Sequence, residues 1–324
     1  MTLNAPLNWD DTVLPFQLDN ADIRGRFARL SESVDQILGQ HDYPAVIESL
    51  VTEAALLTVL MGQAIKLRWK LSLQIRGDGA VKMIATDYYG PTQNGDPAKI
   101  RAYASYDPDL IDADLDAYAQ IGKGVFGILI DQGPDMTPYQ GITPITGDSL
   151  ASCAETYFAQ SEQIPTRFAL AFGKSTTPGH AESWRAGGIM VQHMPKQSPF
   201  AAQSEPIDPS GLLQAKDIVV GDDEENWTRV NVFLDTAEET ELVGPHLKPT
   251  DVLVRLFNEE NPRAFPAQPI QFGCTCSQKR VMDSLASYTK DDLDDLVLDD
   301  GTITADCQFC GAHYSFTPDA FLHD

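Results

Sequence analysis

Four of the five cysteines in this 324-residue chain stand as two close pairs near its C-terminus. The first pair is Cys274-Thr-Cys276, and the second, after thirty residues, is Cys307-Gln-Phe-Cys310. Two such pairs joined by a loop can place four thiolates at the corners of a tetrahedron, which is the geometry of a closed structural zinc site. The spacing therefore predicts that one zinc ion per chain is bound by all four cysteines.

The two pairs differ in their spacing. The second pair continues as C-x-x-C-G, which is typical of a knuckle whose tight turn at Gly311 aims backbone N–H groups at the sulfur atoms. The C-x-C spacing of the first pair is unusual for a zinc ribbon, so the combined pattern is more specific than either half. His313 could replace one cysteine as a ligand, but four thiolates already complete the site.

The loop between the pairs predicts a small helical module over residues 271–324. Val281, Leu285 and Tyr288 form a short apolar stripe, and Thr289 with Asp292 resembles the capping box of a following helix. Ten aspartates and few large apolar side chains leave this module with too small a core for comfortable stability alone. Zinc binding, worth about 10 to 16 kcal/mol in small zinc peptides, would supply most of its folding free energy.

The same four cysteines are a potential redox switch. Thiolates are the form of cysteine that oxidants attack, and a disulfide cannot bind zinc as two thiolates do. We therefore expect oxidation to release the metal and to unfold the module. The preceding segment, residues 206–270, would then be loosened as well.

The fifth cysteine, Cys153, has a different setting. Gly147-Asp148-Ser149 predicts the start of a helix, and the apolar face of this helix carries Cys153 together with Leu150, Ala154, Tyr157 and Phe158. We interpret Cys153 as a buried core thiol, with a reactive nucleophile as the alternative.

The first 205 residues predict an α+β domain. Residues 44–66 have apolar positions at helical spacing, and residues 69–76 alternate between apolar and polar before the turn Gly77-Asp78-Gly79. Further predicted strands cover residues 80–86, 99–106, 124–131, 139–145, 165–172 and 187–194. Because helices and strands do not alternate regularly, we expect one mostly antiparallel sheet covered by helices.

Residues 206–270 predict an acidic helical linker between this domain and the zinc module. Short helical patterns occur around 230–234 and after Pro249-Thr250-Asp251, and we expect these helices to need a neighbour to pack on. An ordinary solvated linker is the alternative. The last 119 residues hold 8 basic and 23 acidic side chains, so they carry -15 of the formal charge of -24.

Charge and composition also exclude several classes of function. A chain with 47 acidic and 23 basic side chains repels polyanions, which argues against nucleic acid as a partner. The N-terminus lacks the pattern of a signal peptide, and the longest apolar stretch is too short for a bilayer span, so no membrane partner is expected. Few cysteines, clustered rather than dispersed, favour the reducing cytoplasm.

No enzymatic motif stands out from the sequence. Gly122-Lys123-Gly124 is more simply a turn than a phosphate site, and there is no convincing Ser-His-Asp set. A thiol-disulfide oxidoreductase that uses Cys307 and Cys310 is one alternative, although the C-x-x-C does not lie in a thioredoxin-like βαβ pattern. A structural zinc module in a protein of unrelated activity is the other.

Several motifs together resemble the bacterial 33-kDa chaperonin family, the redox-regulated heat-shock holdases. The resemblance covers nearly the whole chain. Its most specific parts are FGCTCS (272–277), DCQFCGAHYSF (306–316) and the acidic DDLDDLVLDDGTI between them, supported upstream by VLVRLFNEE, SEQIPTR, GDSLASCAETYF, QIRGDGAVK and the early Arg24-Gly25. It implies an ATP-independent chaperone rather than an enzyme, inactive when reduced and zinc-bound, which binds unfolding proteins after oxidation.

The resemblance also implies details that the residues alone leave open. Four cysteines allow three disulfide connectivities, and the sequence does not choose among them. The resemblance implies that Cys274 pairs with Cys276 and Cys307 with Cys310 in the oxidised form. It further implies that residues 206–270 are the stress-sensing linker and that the active form is a homodimer.

Overall fold

Eleven β-strands form one sheet within the part of the chain that the structure describes. The structure is a computed structural model, and it describes residues 9–65, 67–93, 95–133, 136–176, 182–194, 222–286 and 288–321. The helices are α1 (Glu32–Leu38), α2 (Ala45–Ala64), α3 (Leu150–Tyr157), α4 (Asp222–Leu234), α5 (Glu239–Val243), α6 (Pro249–Phe257), α7 (Gln278–Leu285) and α8 (Lys290–Asp295).

The strands follow the chain from near the N-terminus to the cysteine module. They are β1 (Thr12–Leu18), β2 (Ile23–Leu30), β3 (Lys70–Gly77), β4 (Val81–Tyr89), β5 (Ala98–Tyr106), β6 (Gly124–Asp131), β7 (Tyr139–Pro144), β8 (Thr166–Ser175), β9 (Ser183–His193), β10 (Pro262–Ala264), β11 (Gln268–Phe272), β12 (Ile303–Asp306) and β13 (His313–Phe316). β12 and β13 form a separate two-stranded sheet.

The large sheet is antiparallel except at one junction. Its strand order is β7-β6-β3-β4-β5-β11-β1-β2-β9-β8, and β10 pairs with the far half of β1. β11 lies parallel to β5, with Ile270 opposite Ala98, and antiparallel to the start of β1. The short strand β11 therefore joins the two halves of the sheet.

One face of the sheet is covered by the helices of the N-terminal region. The central element is α2, which contacts seven strands of the sheet and contributes more residues to this core cluster than any other element. Its length and apolar composition would suffice to cross a membrane, but 78% of its most apolar window is buried inside the protein. It is the central core helix because its buried positions run around most of its circumference.

The other face of the sheet is covered by helices α4, α5 and α6. A second core cluster joins alternate residues of β1, β2 and β9 to these helices; its sheet side includes Leu14, Phe16, Leu18, Ile23, Phe27, Ile189 and Val191. Phe16 stacks on Phe257 of α6, with ring centroids 6.1 Å apart. A β-carbon at Gly187 would collide with the carbonyl of Leu242, so this glycine allows α5 to sit directly on β9.

A buried cation holds α5 in this position. Arg29 of β2 is 1% exposed and donates to three backbone carbonyls, those of Glu241 at 2.6 Å, Leu242 at 2.9 Å and Leu247 at 2.6 Å. Carbonyls at the C-terminal end of a helix lack partners within the helix and carry partial negative charge. Arg29 therefore satisfies the end of α5 that faces the sheet.

The structure confirms the α+β class, the mostly antiparallel sheet and most of the predicted elements. The predicted helix 44–66 is α2, and the strands predicted between residues 69 and 194 are β3 to β9 within a few residues at their ends. The sequence analysis missed β1, β2, α1, β10, β11 and the hairpin β12–β13, so the C-terminal module is not purely helical. The predicted boundary at 205/206 lies outside the described residues. Two strands within or overlapping 206–270, β10 and β11, belong to the large sheet.

The buried carboxyl of Glu53 in α2 gives the fold a testable pH dependence. Its Oε1 accepts from the backbone N–H groups of Leu150 and Ala151 at the start of α3, at 3.1 and 3.3 Å. Burial outweighs these hydrogen bonds and raises the pKa of Glu53 to about 7. The unfolded chain therefore ionises at lower pH than the folded one, and stability should fall as pH rises from the usual glutamate range through 7.

We expect Glu53→Gln to remove this pH dependence. Glutamine keeps an acceptor for α3 and cannot ionise, so at pH 8 the variant should be more stable than the parent by about 3 kcal/mol, the equivalent of the pKa shift. At pH 5 the difference should largely vanish. Denaturant unfolding at both pH values measures it, and equal differences at pH 5 and pH 8 would contradict it.

Candidate metal centre

The four C-terminal cysteines converge on one point. Their sulfur atoms all lie within 4.8 Å of one another, with 3.6 Å between Cys274 and Cys307 and 3.3 Å between Cys276 and Cys310. No disulfide joins them, and each side chain is partly buried. The spacing in the sequence thus predicted correctly which residues come together.

Two local structures bring the pairs together. Cys274 and Cys276 directly follow β11, and the backbone N–H of Gly273 donates to the Ile100 carbonyl of β5 at 3.1 Å. Cys307 and Cys310 form the turn between β12 and β13, where the Gly311 N–H donates to the Cys307 carbonyl at 2.8 Å. Gly311 has φ of +64°, which a residue with a β-carbon rarely adopts, so the glycine after the second pair shapes the turn.

The helices between the pairs follow the sequence prediction. Ser277 caps α7 by accepting from the Arg280 N–H at 3.3 Å. Thr289 and Asp292 form both hydrogen bonds of the predicted capping box at the start of α8. These caps stabilise two short helices whose own cores are small.

The four thiols differ in their electrostatic environment. Burial opposes ionisation of Cys274, but the backbone N–H of Cys276 and the Arg101 guanidinium outweigh it and lower the pKa of Cys274 to about 7. Burial raises the pKa of Cys307 and that of Cys310. The Tyr314 hydroxyl donates to the Cys276 sulfur at 3.1 Å, and this bond raises the pKa of Tyr314 to about 12. Cys274 is therefore more readily converted to a thiolate than Cys307 or Cys310.

Side chains of the large sheet surround the metal centre. Arg101 of β5 donates through Nη1 to the Cys274 sulfur at 3.2 Å, and its guanidinium lies 4.0 Å from the ring centroid of Phe309. Tyr103 meets the same ring edge to face, with centroids 5.2 Å apart. Tyr89 and Thr275 share a hydrogen bond of 3.1 Å. The sequence analysis missed these contacts because the partners lie far apart along the chain.

The remaining sequence candidates lie elsewhere. His313 is paired through Nδ1 with the Asp306 carboxylate at 2.7 Å and is exposed, and it is not part of the cysteine cluster. Cys153 is fully buried on the inner face of α3, where Tyr118 contacts its sulfur at 3.1 Å and burial raises the pKa of its thiol. This confirms Cys153 as a core residue.

The donor set fits a tetrahedral, thiophilic metal ion. Four sulfur atoms within 4.8 Å of one another match a site with four thiolate ligands, and the Arg101 and Tyr314 hydrogen bonds are the outer contacts that such thiolates require. Zinc is the metal that this ligand set most commonly selects. When bound, it would link the two halves of the module.

Comparison with known proteins agrees with this geometry. The Hsp33 family model, described as "Hsp33 protein", matches residues 11–317. The chain belongs to the Hsp33 family. A 33 kDa chaperonin from Caulobacter vibrioides is 36% identical over 315 residues, 95% of each chain, and one from Ectopseudomonas mendocina is 33% identical over 93% of this chain and 90% of its own. The family resemblance drawn from the sequence motifs is confirmed.

A solved structure shows the same fold. The crystal structure of the 33 kDa chaperonin (heat shock protein 33 homolog) from Thermotoga maritima covers 96% of each chain with a TM-score of 0.72, at 20% identity. The Hsp33 fold therefore includes both the large sheet and the C-terminal module of this chain.

Replacing the native metal with Co²⁺ should count the thiolate ligands directly. We expect the reduced chain to bind one Co²⁺ with strong near-ultraviolet thiolate-to-metal bands and a tetrahedral visible spectrum. Cys276→Ser should lower the near-ultraviolet intensity by about a quarter, because one of four thiolates is lost. Cys153→Ser is the matched control and should leave the spectrum unchanged. A spectrum insensitive to Cys276→Ser would contradict the site.

Proposed function

We propose that this chain is a redox-regulated, ATP-independent holdase chaperone that binds unfolding proteins during oxidative and heat stress. The observation that carries the proposal is the connection between the cysteine cluster and the cover of an apolar sheet face. Family membership and the name of its relatives, 33 kDa chaperonin, support the chaperone activity.

The covered sheet face is the candidate client-binding surface. Its large apolar side chains are buried only because α4, α5 and α6 lie on them, for example Leu14, Phe27 and Val191. Exposed apolar patches of this kind bind other chains by burial of surface and do not require a particular sequence. Without these helices the face would serve as a holdase surface.

The helical cover is suited to being released. Residues 206–324 carry a formal charge of -15, so their mutual repulsion opposes compact packing. Polar anchors from the sheet, such as the Arg29 contacts to α5 and the Arg167–Asp235 ion pair at 2.9 Å, would have to break when the cover is released. Loss of support at the C-terminal end of the helical cover would therefore favour its release, because charge repulsion already opposes its packing.

The cysteine cluster supplies that support in the reduced state. β11 leads directly into Cys274, and β10, α6 and the rest of the cover precede it along the chain. Oxidation of the thiolates to disulfides removes the ligands that close the module. The pairs proposed on the family resemblance are Cys274–Cys276 and Cys307–Cys310. Residues 1–205 would then be the client-binding domain, 206–270 the linker and 271–324 the redox switch.

The remaining parts of the proposal follow from the family. The active form is proposed to be a homodimer in the cytoplasm, with unfolding proteins as its partners and without a catalytic site. An oxidoreductase built on Cys307 and Cys310 is disfavoured, because burial raises the pKa of both thiols whereas such enzymes attack with a low-pKa thiolate.

Oxidation of the zinc-loaded chain tests the switch. We expect hypochlorous acid, or hydrogen peroxide with heat, to release one zinc per chain to a chromogenic chelator and, in step with it, to confer suppression of a denaturing client's aggregation. Retention of zinc, or equal suppression before and after oxidation, would contradict the switch. Turnover of insulin disulfides would support the oxidoreductase instead.

Neighbouring residues of α6 test the role of the helical cover. Leu253 is 2% exposed against the sheet, whereas Val254 is 53% exposed on the opposite side. Leu253→Ser should weaken the cover by about 3 kcal/mol, as for other truncations of a buried leucine. It should therefore increase client holding by the reduced, zinc-loaded chain, measured as suppression of aggregation.

Val254→Ser is the matched control, since it removes a similar side chain from the exposed face. It should leave the reduced chain inactive. Equal activity of both variants, or no activity of reduced Leu253→Ser despite a measured loss of stability, would argue against this face as the client surface.

A further inference from the structure

A single guanidinium bridges the large sheet and the metal centre. Arg101 lies near the middle of β5, and its side chain is 13% exposed. On the sheet side, Nε donates to the Asp87 carboxylate of β4 at 2.8 Å, directly across the strand pair. On the module side, Nη1 donates to the Cys274 sulfur and the planar group stacks on Phe309. One side chain thus contacts a cysteine of the first pair, the turn that carries the second pair, and the sheet.

We propose that Arg101 is the positioning residue that holds the cysteine module on the sheet, and that it does so strongly only while Cys274 is a negatively charged thiolate. The inference deepens the proposed function and rests on it for its consequence in client binding. Its structural part, the dependence of docking on sulfur charge, stands on the contacts of Arg101 alone.

The charges around this junction favour a negative module. Asp87 is shared between Arg101 and Lys70, whose Nζ lies 3.4 Å from it, so the three groups leave one positive charge in excess. The side-chain stem of Lys99 lies against Gly273, and Arg280 donates to the Thr275 carbonyl at 2.7 Å. Positive groups therefore gather at the first cysteine pair in a chain whose net charge is -24.

Other contacts between the sheet and the module do not depend on the sulfur atoms. They include the hydrogen bonds from the Gly273 N–H to the Ile100 carbonyl and between Tyr89 and Thr275, and the edge-to-face contact of Tyr103 with Phe309. Outside the sheet, His41 contacts the Gln308 carbonyl at 2.6 Å. Among the contacts of the described residues, the bond from Arg101 to Cys274 is the one from the large sheet that ends on a sulfur of the cluster. It is therefore the contact that changes when the cysteines are oxidised.

Oxidation removes the acceptor of Arg101. Each disulfide forms when two thiolates give up two electrons to one molecule of hydrogen peroxide, which leaves as two hydroxide ions. Two such steps convert all four thiolates to two neutral disulfides and release the bound Zn²⁺. A charge-assisted hydrogen bond then becomes a contact with a neutral sulfur, and a partly buried guanidinium is left with an unpaired N–H group.

The position of Arg101 explains how undocking would reach the helical cover. Its neighbour Ile100 is paired with Phe272 of β11 and accepts from the Gly273 N–H. β11 is the strand that joins β5 to β1, and β10 and α6 precede it. Release of the module therefore removes contacts that stabilise β11, the strand that joins the two halves of the sheet.

Amide hydrogen exchange of β11, followed in the zinc-loaded and oxidised chain, tests the inference. In the parent chain, oxidation should speed exchange of the Gln268–Gly273 amides. Arg101→Met should speed it by roughly 10- to 100-fold in the reduced chain, the equivalent of one hydrogen bond to a charged group. Oxidation should then add less than it does in the parent chain, because the charge-dependent contact is already absent. The reduced variant should still bind one zinc.

Two further variants make the result decisive. Arg76→Met removes an arginine from β3, where it lines a shallow cavity with Val125 and Ile142, and should leave exchange of β11 unchanged. Arg101→Lys keeps the positive charge but loses the planar group that stacks on Phe309, so exchange of β11 should still depend on oxidation for the most part. This variant also replaces Arg101→Met in the test if Arg101→Met does not fold.

Three results would overturn the inference. These are equal acceleration by Arg101→Met in the reduced and oxidised chains, loss of zinc from the reduced variant, and loss of the oxidation dependence in Arg101→Lys. The readout is independent of client binding. If the exchange results hold while the oxidised parent chain fails to suppress aggregation, the proposed function fails and the role of Arg101 stands.

Discussion

The sheet of this protein has two apolar faces, and both must be kept from water. The face toward α2 is covered by one long, nearly uncharged core helix. The face formed by β1, β2 and β9 is covered by short helices from the most acidic part of the chain. Burial of that face favours the folded state, while charge repulsion among its covering segments opposes it. The rest of the structure determines which of these two effects prevails.

The cysteine cluster lies where it can influence that balance. It follows β11, the strand that pairs with both β5 and β1. The four cysteine sulfur atoms lie within 4.8 Å of one another, and the guanidinium of Arg101 connects one of them to the sheet. In the proposed switch, a chemical change at these sulfur atoms would reach the packing of α4, α5 and α6 through β11. No long-range rearrangement of the α2 core is required for this coupling.

Local patterns in the sequence predicted much of this architecture. Strands β3 to β9 have alternating or turn-bounded patterns, and α2 has a long apolar periodicity, so each could be recognised alone. β1 and β2 were missed because both of their faces are buried, which removes the alternation, and Pro15 interrupts β1. β10 and β11 are three and five residues long and rich in proline and glutamine, and their pairing partners lie more than 150 residues away.

The candidate site was likewise predictable from the sequence only in part. The clustering of the four cysteines was evident from spacing, because all four lie within 37 residues and their chemistry is specific. The sheet residues that surround it, above all Arg101 and Asp87, have no distinguishing pattern, since their role arises only when β4, β5 and the Cys307–Cys310 turn meet in space. Phe309, a large aromatic between two predicted ligands, was the one available sign that this turn packs on a neighbour.

Photo-crosslinking from the covered sheet face tests the central claim most directly. A diazirine analogue of leucine at Leu14, which is 2% exposed, would report on the face beneath α4 to α6, and the same analogue at Ile142, 57% exposed, on a surface that is always accessible. We expect an unfolding client to crosslink to position 14 only after oxidation, with unchanged crosslinking at position 142. Client held by the oxidised chain without crosslinks at position 14 would contradict it.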